Sequence, residues 1–278
     1  MNQKIREILQ HTSPMPVEST CPIRHLDRAA NSIAALLKYL DIHLEAAGFY
    51  ESVCEKHMAH LRRMALASLI ESFERFLKEL ASVYIDTLVS YVGDDRFDEF
   101  SAKGSQLAFH LSAGSVGKAL CESDTWLTNK TINERFRRLL KSPFGDNWEN
   151  LFPEENQPPQ SERARAKTLS ILWQIRHTIT HNVGVITGSD AAKLRMMVKG
   201  EVAPDRIVDP ARHDLLYTMR FLLDAAQSVN QRVGKRLEIL LDGFHRDNPA
   251  LFDAQEMADR VSRQLGVLII INGSTGAL

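Results

Sequence analysis

The sequence predicts an all-α protein, and the clearest evidence is two long runs in which apolar residues recur every three or four positions. The first run covers residues 49–91 and contains no proline or glycine, so nothing in it would break a helix. The second run covers residues 212–241 and has the same spacing. We expect Gly93 and Gly243, which follow the two runs, to end these helices, because glycine readily adopts a left-handed backbone.

Shorter segments before, between and after these runs also have helical patterns. The sequence predicts further helices over residues 26–47, 128–140, 161–182, 189–197 and 254–265. Thr131 and either Ser189 or Asp190 are expected to cap two of them, because a side-chain oxygen at that position accepts a backbone N–H. Residues 94–120 carry scattered serines and glycines and are predicted to form short helices and loops, whereas the proline-rich residues 151–161 are predicted to form a loop.

The overall charge is close to neutral, with 34 Lys and Arg against 35 Asp and Glu and a net charge of −1. Such a protein has no global positive field, so any nucleic-acid binding has to come from a local basic patch. Cys21, Cys54 and Cys121 are scattered and lack metal-ligand spacing, which favours a reducing compartment and argues against a zinc site. The N-terminus lacks an apolar signal segment and no run reaches membrane-spanning length, so we expect a cytoplasmic protein without membrane contact.

Residues 171–184 combine the apolar side of a helix with a group of polar side chains suited to chemistry. The apolar side is formed by Ile171, Leu172, Ile175 and Ile179. The remaining surface carries Arg176, His177, Thr180 and His181. Asn182 and Gly184 follow and are expected to end the helix, since both tolerate a left-handed backbone.

The spacing of these polar residues has a geometric meaning. His177 and His181 are four residues apart and therefore share a face of the helix. Arg176 and His181 are five residues apart, which places them roughly 140° apart around the axis. They converge on one substrate if it lies across the helix end, or if a second copy of the helix packs against the first.

The segment contains Arg176, four intervening residues and His181, followed by Asn182-x-Gly184. This pattern resembles the Arg-x4-6-His motif of the HEPN superfamily of all-α proteins. The family's motif often has a polar residue directly after the arginine, and His177 stands there. Residues 66–80 resemble the first long helix of such domains, and the resemblance extends over roughly residues 55–243 with a long insertion.

The chain is expected to have three parts, of which only the middle one carries the resemblance. An N-terminal helical extension covers residues 1–54, and a HEPN-like helical bundle covers residues 55–245 with an insertion at about 94–160. Residues 246–278 form a C-terminal helix and an apolar tail.

The resemblance also implies a metal-independent endoribonuclease that needs no cofactor. Histidine suits proton transfer because its reference pKa is about 6.5, and arginine suits phosphate binding because its planar fork stays cationic. His181 is accordingly the expected proton-transfer residue and Arg176 the phosphate clamp, with Glu74 or Glu71 of the long helix orienting Arg176. The supporting residues of the motif helix are His177, Thr180 and Asn182.

The family places its motif at a dimer interface, so the resemblance implies a homodimer that completes the site. RNA is the expected substrate. A role as a toxin or as a stress or phage-defence effector would add an antitoxin or activator protein as a partner.

Two groups of basic residues are candidates for RNA phosphate contact. The first lies on the predicted helix at 128–140 with Phe136 interleaved, and the second lies on the first turns of the motif helix, where positive charge opposes the helix dipole. The candidate RNA-binding residues are Arg135, Arg137, Arg138, Lys141, Arg163 and Arg165.

Other interpretations stay open on the sequence alone. Arg176 and His181 would also suit structural pairing at a helix end, and the whole domain would also suit a non-catalytic module that binds a nucleotide, RNA or a partner protein. His177 and His181 have the spacing of two metal ligands, but Thr178 stands where the glutamate of a zinc-protease motif belongs. The β-branched segment 266–273 is compatible with a strand, a docking arm or a buried segment.

Overall fold

The computed structural model describes residues 21–47, 51–92, 97, 114–122, 126, 128–141, 151–152 and 160–272. Its helices are α1 (Pro22–Ala47), α2 (Glu51–Leu88), α3 (Val116–Glu122), α4 (Asn129–Leu139), α5 (Gln160–Asn182), α6 (Gly188–Val198), α7 (Arg212–Asp247) and α8 (Ala254–Leu265). The described residues contain no β-strand, only one isolated bridge between Val185 and Ile207. The predicted all-α fold is therefore confirmed.

The long helix α2 is the central element of the fold. It packs against α1, α3, α4, α5, α7 and α8. Its buried face includes Phe73, Phe76, Leu77, Leu80 and Ile85, all almost inaccessible to solvent. Each such side chain stabilises the fold by about 1.5–3 kcal/mol relative to an exposed position. This packing fixes the position of α2, which also carries residues of the candidate site.

Helix α7 forms the second long side of the core and extends past its predicted end. Gly243 lies inside the helix, which continues to Asp247, so the predicted end at Gly243 was wrong. Glycine inside a helix costs about 1 kcal/mol relative to alanine, but Gly243 is buried and Phe244 packs on Tyr91 with ring centroids 6.3 Å apart. Packing of the last turn outweighs the glycine. The other long helix, α2, ends at Leu88, before the end predicted at Gly93, and Gly93 itself lies outside the described residues.

The predicted caps of α4 and α6 were also wrong, in both cases by a few residues. The N-cap of α4 is Thr128, whose side chain accepts from the backbone N–H of Thr131. The N-cap of α6 is Thr187, which forms a capping box with Asp190. Apolar periodicity does not mark these starts, because the first turn of each helix is mostly polar.

Both ends of the described chain join the same core as α2 and α7. Leu26 of α1 and Ile269 and Ile271 near the C-terminus belong to one cluster of buried apolar side chains with them. Residues 267–272 are extended and lie along α7, where the N–H groups of Ile270 and Asn272 donate to carboxylates of that helix. Ile269 and Ile271 are buried whereas Leu268 and Ile270 are exposed, so the segment buries only one of its sides. Residues 1–20, predicted to belong to the N-terminal helical extension, lie outside the described residues.

Candidate site at the C-terminal end of α5

Helix α5 packs its apolar side into the bundle and presents its polar residues at the C-terminal end. Leu172, Trp173 and Ile179 are buried, and Thr178 is completely inaccessible. Helix α5 contacts α2, α4 and α6, and α6 follows it in the chain after a short turn. The predicted helix at 161–182 is therefore present, and its last turns lie between two helices that supply further polar groups.

Arg176 forms an ion pair with a carboxylate of α2. Its Nη2 lies 3.1 Å from Oε1 of Glu71. The side chain of Arg176 is 15% exposed and that of Glu71 is 49% exposed, so the pair lies at the edge of the protein. Glu71 is one of the two acids predicted to orient Arg176, and the structure makes this contact.

Glu74, the other predicted acid, does not face Arg176. Its Oε1 accepts from the backbone N–H of Trp126 at 3.0 Å and from Nζ of Lys78 at the same distance. Positions 71 and 74 lie about 60° apart around α2, and this rotation directs Glu74 into the protein. Glu74 is therefore a structural residue, and its predicted role beside Arg176 is corrected.

His177 and His181 form an exposed pair of imidazole rings. Their centroids are 4.7 Å apart and both residues are accessible to solvent. Thr180 is exposed, and its hydroxyl donates to the backbone carbonyl of Arg176 at 2.9 Å. In the described part of the chain, no group of three or more His, Cys, Asp or Glu residues is arranged to hold a metal ion. Because both imidazole rings are exposed, a substrate can reach them.

Asn182 ends the helix through a side-chain contact to α6. It is the last residue of α5, and its Nδ2 donates to Oδ2 of Asp190 at 2.8 Å. The left-handed residues are the next two, Val183 (φ 53°) and Gly184 (φ 88°). The expectation of a left-handed Asn182 was therefore wrong, because its amide is used to hold α6.

Asp190 is buried and ionised. Burial alone would raise its pKa, but hydrogen bonds from the Thr187 side chain and backbone and from Asn182, together with attraction to His177, outweigh that effect and lower the pKa below its usual value. Its Oδ1 also accepts from Nε2 of Gln174 at 2.9 Å. Sequence analysis treated Asp190 only as a possible cap and missed this link. The Thr187-x-x-Asp190 pattern of a capping box indicates the start of α6, but no sequence pattern pointed to the contacts with α5.

Gly184 makes close contact with a second arginine that sequence analysis missed. A Cβ at position 184 would lie 2.8 Å from Cδ of Arg63, which belongs to α2. The guanidinium of Arg63 donates to the carbonyl of Val208 at 3.3 Å. A second cationic side chain therefore lies beside the end of α5. No sequence signal pointed to it, because 121 positions separate Arg63 from Gly184.

One of the candidate RNA-binding residues lies in the core of the protein. Arg135 is buried, with its guanidinium 4.8 Å from the ring centre of Trp126, so its assignment to an exposed patch was wrong. The interleaved Phe136 is a core residue. Cation–π packing on a buried tryptophan accounts for the position of Arg135.

The remaining basic candidates differ in exposure. Arg137 and Lys141 are exposed and Arg138 is half-buried. Arg165 is half-buried and donates to the hydroxyl of Ser228 at 3.0 Å. The side chain of Arg163 lies outside the described residues. Position 165 is about 16 Å along the helix axis from Arg176, so Arg165 is not part of the group at the helix end.

Comparison of the chain with protein-family models, with curated proteins and with solved structures finds no match. Within the described ranges, no helix is both long and apolar enough to cross a membrane.

Proposed function

We propose that the protein is a metal-independent endoribonuclease of HEPN type. The observation that carries the proposal is the arrangement of three residues at the end of α5. Arg176 is bound to Glu71, and His181 is exposed in the following turn beside His177. An oriented arginine with accessible imidazoles supplies the two kinds of group that RNA cleavage without metal requires.

The proposed reaction uses the 2′-hydroxyl of RNA as the nucleophile. His181 accepts the proton of that hydroxyl, and the 2′-oxygen forms a bond to the adjacent phosphorus. The bond from phosphorus to the 5′-oxygen then breaks, and that oxygen receives a proton from a second imidazole. The products are a 2′,3′-cyclic phosphate and a 5′-hydroxyl. Arg176 stabilises the extra negative charge on the phosphoryl oxygens as the reaction proceeds.

The Glu71 contact leaves Arg176 able to bind phosphate. It uses Nη2, one of several donor groups of the guanidinium. The Nε–H of Arg176 is buried, so a phosphate would be bound by the other Nη donors of the guanidinium. Arg63 adds positive charge near the same helix end. These features support a local phosphate-binding site made of a few cationic groups. A local site of this kind agrees with a chain whose net charge is only −1.

The proposal includes a homodimer in which two copies of the α5 end face each other and complete the site. Each copy would supply an arginine and an exposed histidine pair to a shared RNA. We further propose that an antitoxin or activator protein controls the activity and that the protein acts in the cytoplasm.

The test is RNA cleavage by the purified protein in excess EDTA. We expect products ending in a 2′,3′-cyclic phosphate, and loss of cleavage in Arg176→Ala and His181→Ala. His213→Ala is the matched control, because His213 is a highly exposed histidine at the start of α7. Cleavage that survives in both α5 variants would reject these residues, and absence of cleavage by folded wild-type dimer would favour the second function below.

A non-catalytic binding module is the second candidate, and the burial of Arg176 favours it. Its side chain is only 15% exposed and already forms an ion pair with the carboxylate of Glu71. A residue in this state suits a structural or binding role as well as a catalytic one. RNA or nucleotide binding without cleavage, measured by fluorescence anisotropy and weakened in His181→Ala, would support this function.

A further inference from the structure

The carboxylate of Asp190 connects two positions that lie two turns apart on α5. Gln174 binds one of its oxygens and Asn182 binds the other, at 2.9 and 2.8 Å. These positions are eight residues apart, a little over two helical turns. Asp190 itself is 1% exposed and belongs to the first turn of α6. One buried anion therefore holds the end of α5 against the start of α6.

The segment held in this way carries the proposed proton-transfer groups. His177 and His181 lie between Gln174 and Asn182 in the sequence, and His181 directly precedes Asn182. The last turn of a helix frays readily, because its final carbonyls lack partners within the helix. Hydrogen bonds to a charged acceptor are stronger than neutral ones. The contacts to Asp190 thus oppose fraying in the turn that holds His181.

We infer that Asp190 is a positioning residue of the candidate site, which fixes the last two turns of α5, and with them His177 and His181, against α6. It acts through Gln174 and Asn182 and forms no hydrogen bond to either imidazole in the described structure. Its effect on cleavage rests on the proposed function. Its effect on the order of the helix end does not depend on whether the protein cleaves RNA.

Asp190 also belongs to the capping box of α6, and this second role has to be separated from the first. The side chain of Thr187 accepts from the N–H of Asp190, and the carboxylate of Asp190 accepts from the N–H of Thr187. Thr187→Ala removes the side-chain cap and keeps both contacts to α5. Asn182→Ala removes one contact to α5 and keeps the cap. Asp190→Asn keeps the side-chain shape, removes the charge and replaces one acceptor oxygen by a donor, so it loses one of the two contacts to α5.

The primary measurement is amide hydrogen exchange at the end of α5. The N–H of Gly184 donates to Thr178 and that of Val185 donates to Asn182, so both report on this turn. We expect Asp190→Asn and Asn182→Ala to accelerate exchange at both amides, on the order of tenfold or more, without changing exchange in the centre of α7. Thr187→Ala should leave both amides close to wild type.

Exchange that is equal in wild type, Asp190→Asn and Asn182→Ala would overturn the inference. Acceleration by Thr187→Ala equal to that by Asp190→Asn would also overturn it, because Asp190 would then act only as a cap of α6. Should Asp190→Asn fail to fold, Asn182→Ala decides alone, since the Asn182 side chain is partly exposed. These results are independent of whether the protein cleaves RNA.

Kinetics of the active wild-type protein provide the second measurement. We expect Asp190→Asn to lower kcat roughly tenfold to a hundredfold with little change in KM, because misplaced groups slow the chemical step more than they weaken binding. Thr187→Ala should retain most of kcat. Equal kcat in wild type and Asp190→Asn would reject the positioning role in catalysis. Absence of cleavage by wild type would instead count against the proposed function.

Discussion

Arg176 of α5 and Glu71 of α2 form an ion pair, with Nη2 and Oε1 separated by 3.1 Å. Glu74, one turn further along α2, is buried and binds the backbone of Trp126 instead. Two acids that lie close together on one helix therefore serve different parts of the molecule. One orients a residue of the candidate site and the other stabilises the fold.

Alanine substitutions at these two acids should have opposite effects on activity and stability. Glu71→Ala is expected to lower kcat/KM for RNA by about threefold to tenfold, because Arg176 loses its orienting partner. Its stability should change by no more than about 0.5 kcal/mol, since Glu71 is half exposed and solvent screens the pair. Urea unfolding and cleavage kinetics measure the two quantities.

Glu74→Ala should instead lower the free energy of unfolding by about 1–3 kcal/mol, because the buried N–H of Trp126 loses its acceptor. Its kcat/KM should remain near wild type wherever the variant is folded. A larger loss of stability in Glu71→Ala than in Glu74→Ala would contradict this assignment of the two residues.

Gly184→Ala should destabilise the end of α5. The left-handed backbone at this position costs a residue with a Cβ about 1–2 kcal/mol, and the new methyl group would lie 2.8 Å from Cδ of Arg63. We expect a loss of about 1–2 kcal/mol or more in the free energy of unfolding, measured by urea denaturation. Gly188→Ala is the matched control, because a Cβ there meets nothing within 4 Å. It should change stability by less than about 0.5 kcal/mol, and equal losses in the two variants would refute the steric explanation.

The helices were predictable because apolar periodicity reports directly on the buried side of a helix. Residues 254–265 illustrate this, since the predicted and observed bounds of α8 agree. The caps of α4 and α6, which are Thr128 and Thr187, were predicted too late in the sequence, because capping depends on one side-chain contact rather than on periodicity. The prediction that Gly243 ends α7 was wrong for a related reason, because burial of the last turn outweighs the preference of glycine for helix ends.

The candidate site was predictable only as far as one helix determines it. The relative positions of Arg176, His177 and His181 follow from helical geometry, which places the two histidines on one face of the helix. The choice between Glu71 and Glu74 depends on how α2 is rotated against α5, and tertiary packing decides that. The buried state of Arg135 depends in the same way on Trp126, nine residues away.

Arg135→Ala should destabilise the protein, although its neighbour Arg137 should tolerate the same change. The Arg135 side chain is buried against Trp126, so its removal loses both packing and cation–π attraction, about 1–3 kcal/mol in total. Arg137 is exposed, and Arg137→Ala should alter stability by less than about 0.5 kcal/mol. Thermal unfolding of both variants checks the contrast, and similar midpoints would show that Arg135 adds nothing to the core.

The stabilisation by Asp190 should depend on pH in a defined direction. Its pKa in the folded protein is lowered from the usual value of 3.8, so the folded state binds this proton less readily than the unfolded state. The stabilisation is therefore fully present above the unfolded pKa and is lost as the pH falls through the folded one. We expect the difference in free energy of unfolding between wild type and Asp190→Asn to be present at about pH 5 and to shrink below about pH 4. Urea denaturation across this range measures it. A difference that stays constant into acid, or grows there, would mean that the Asp190 carboxylate is not held in its ionised form by Thr187, Asn182 and His177.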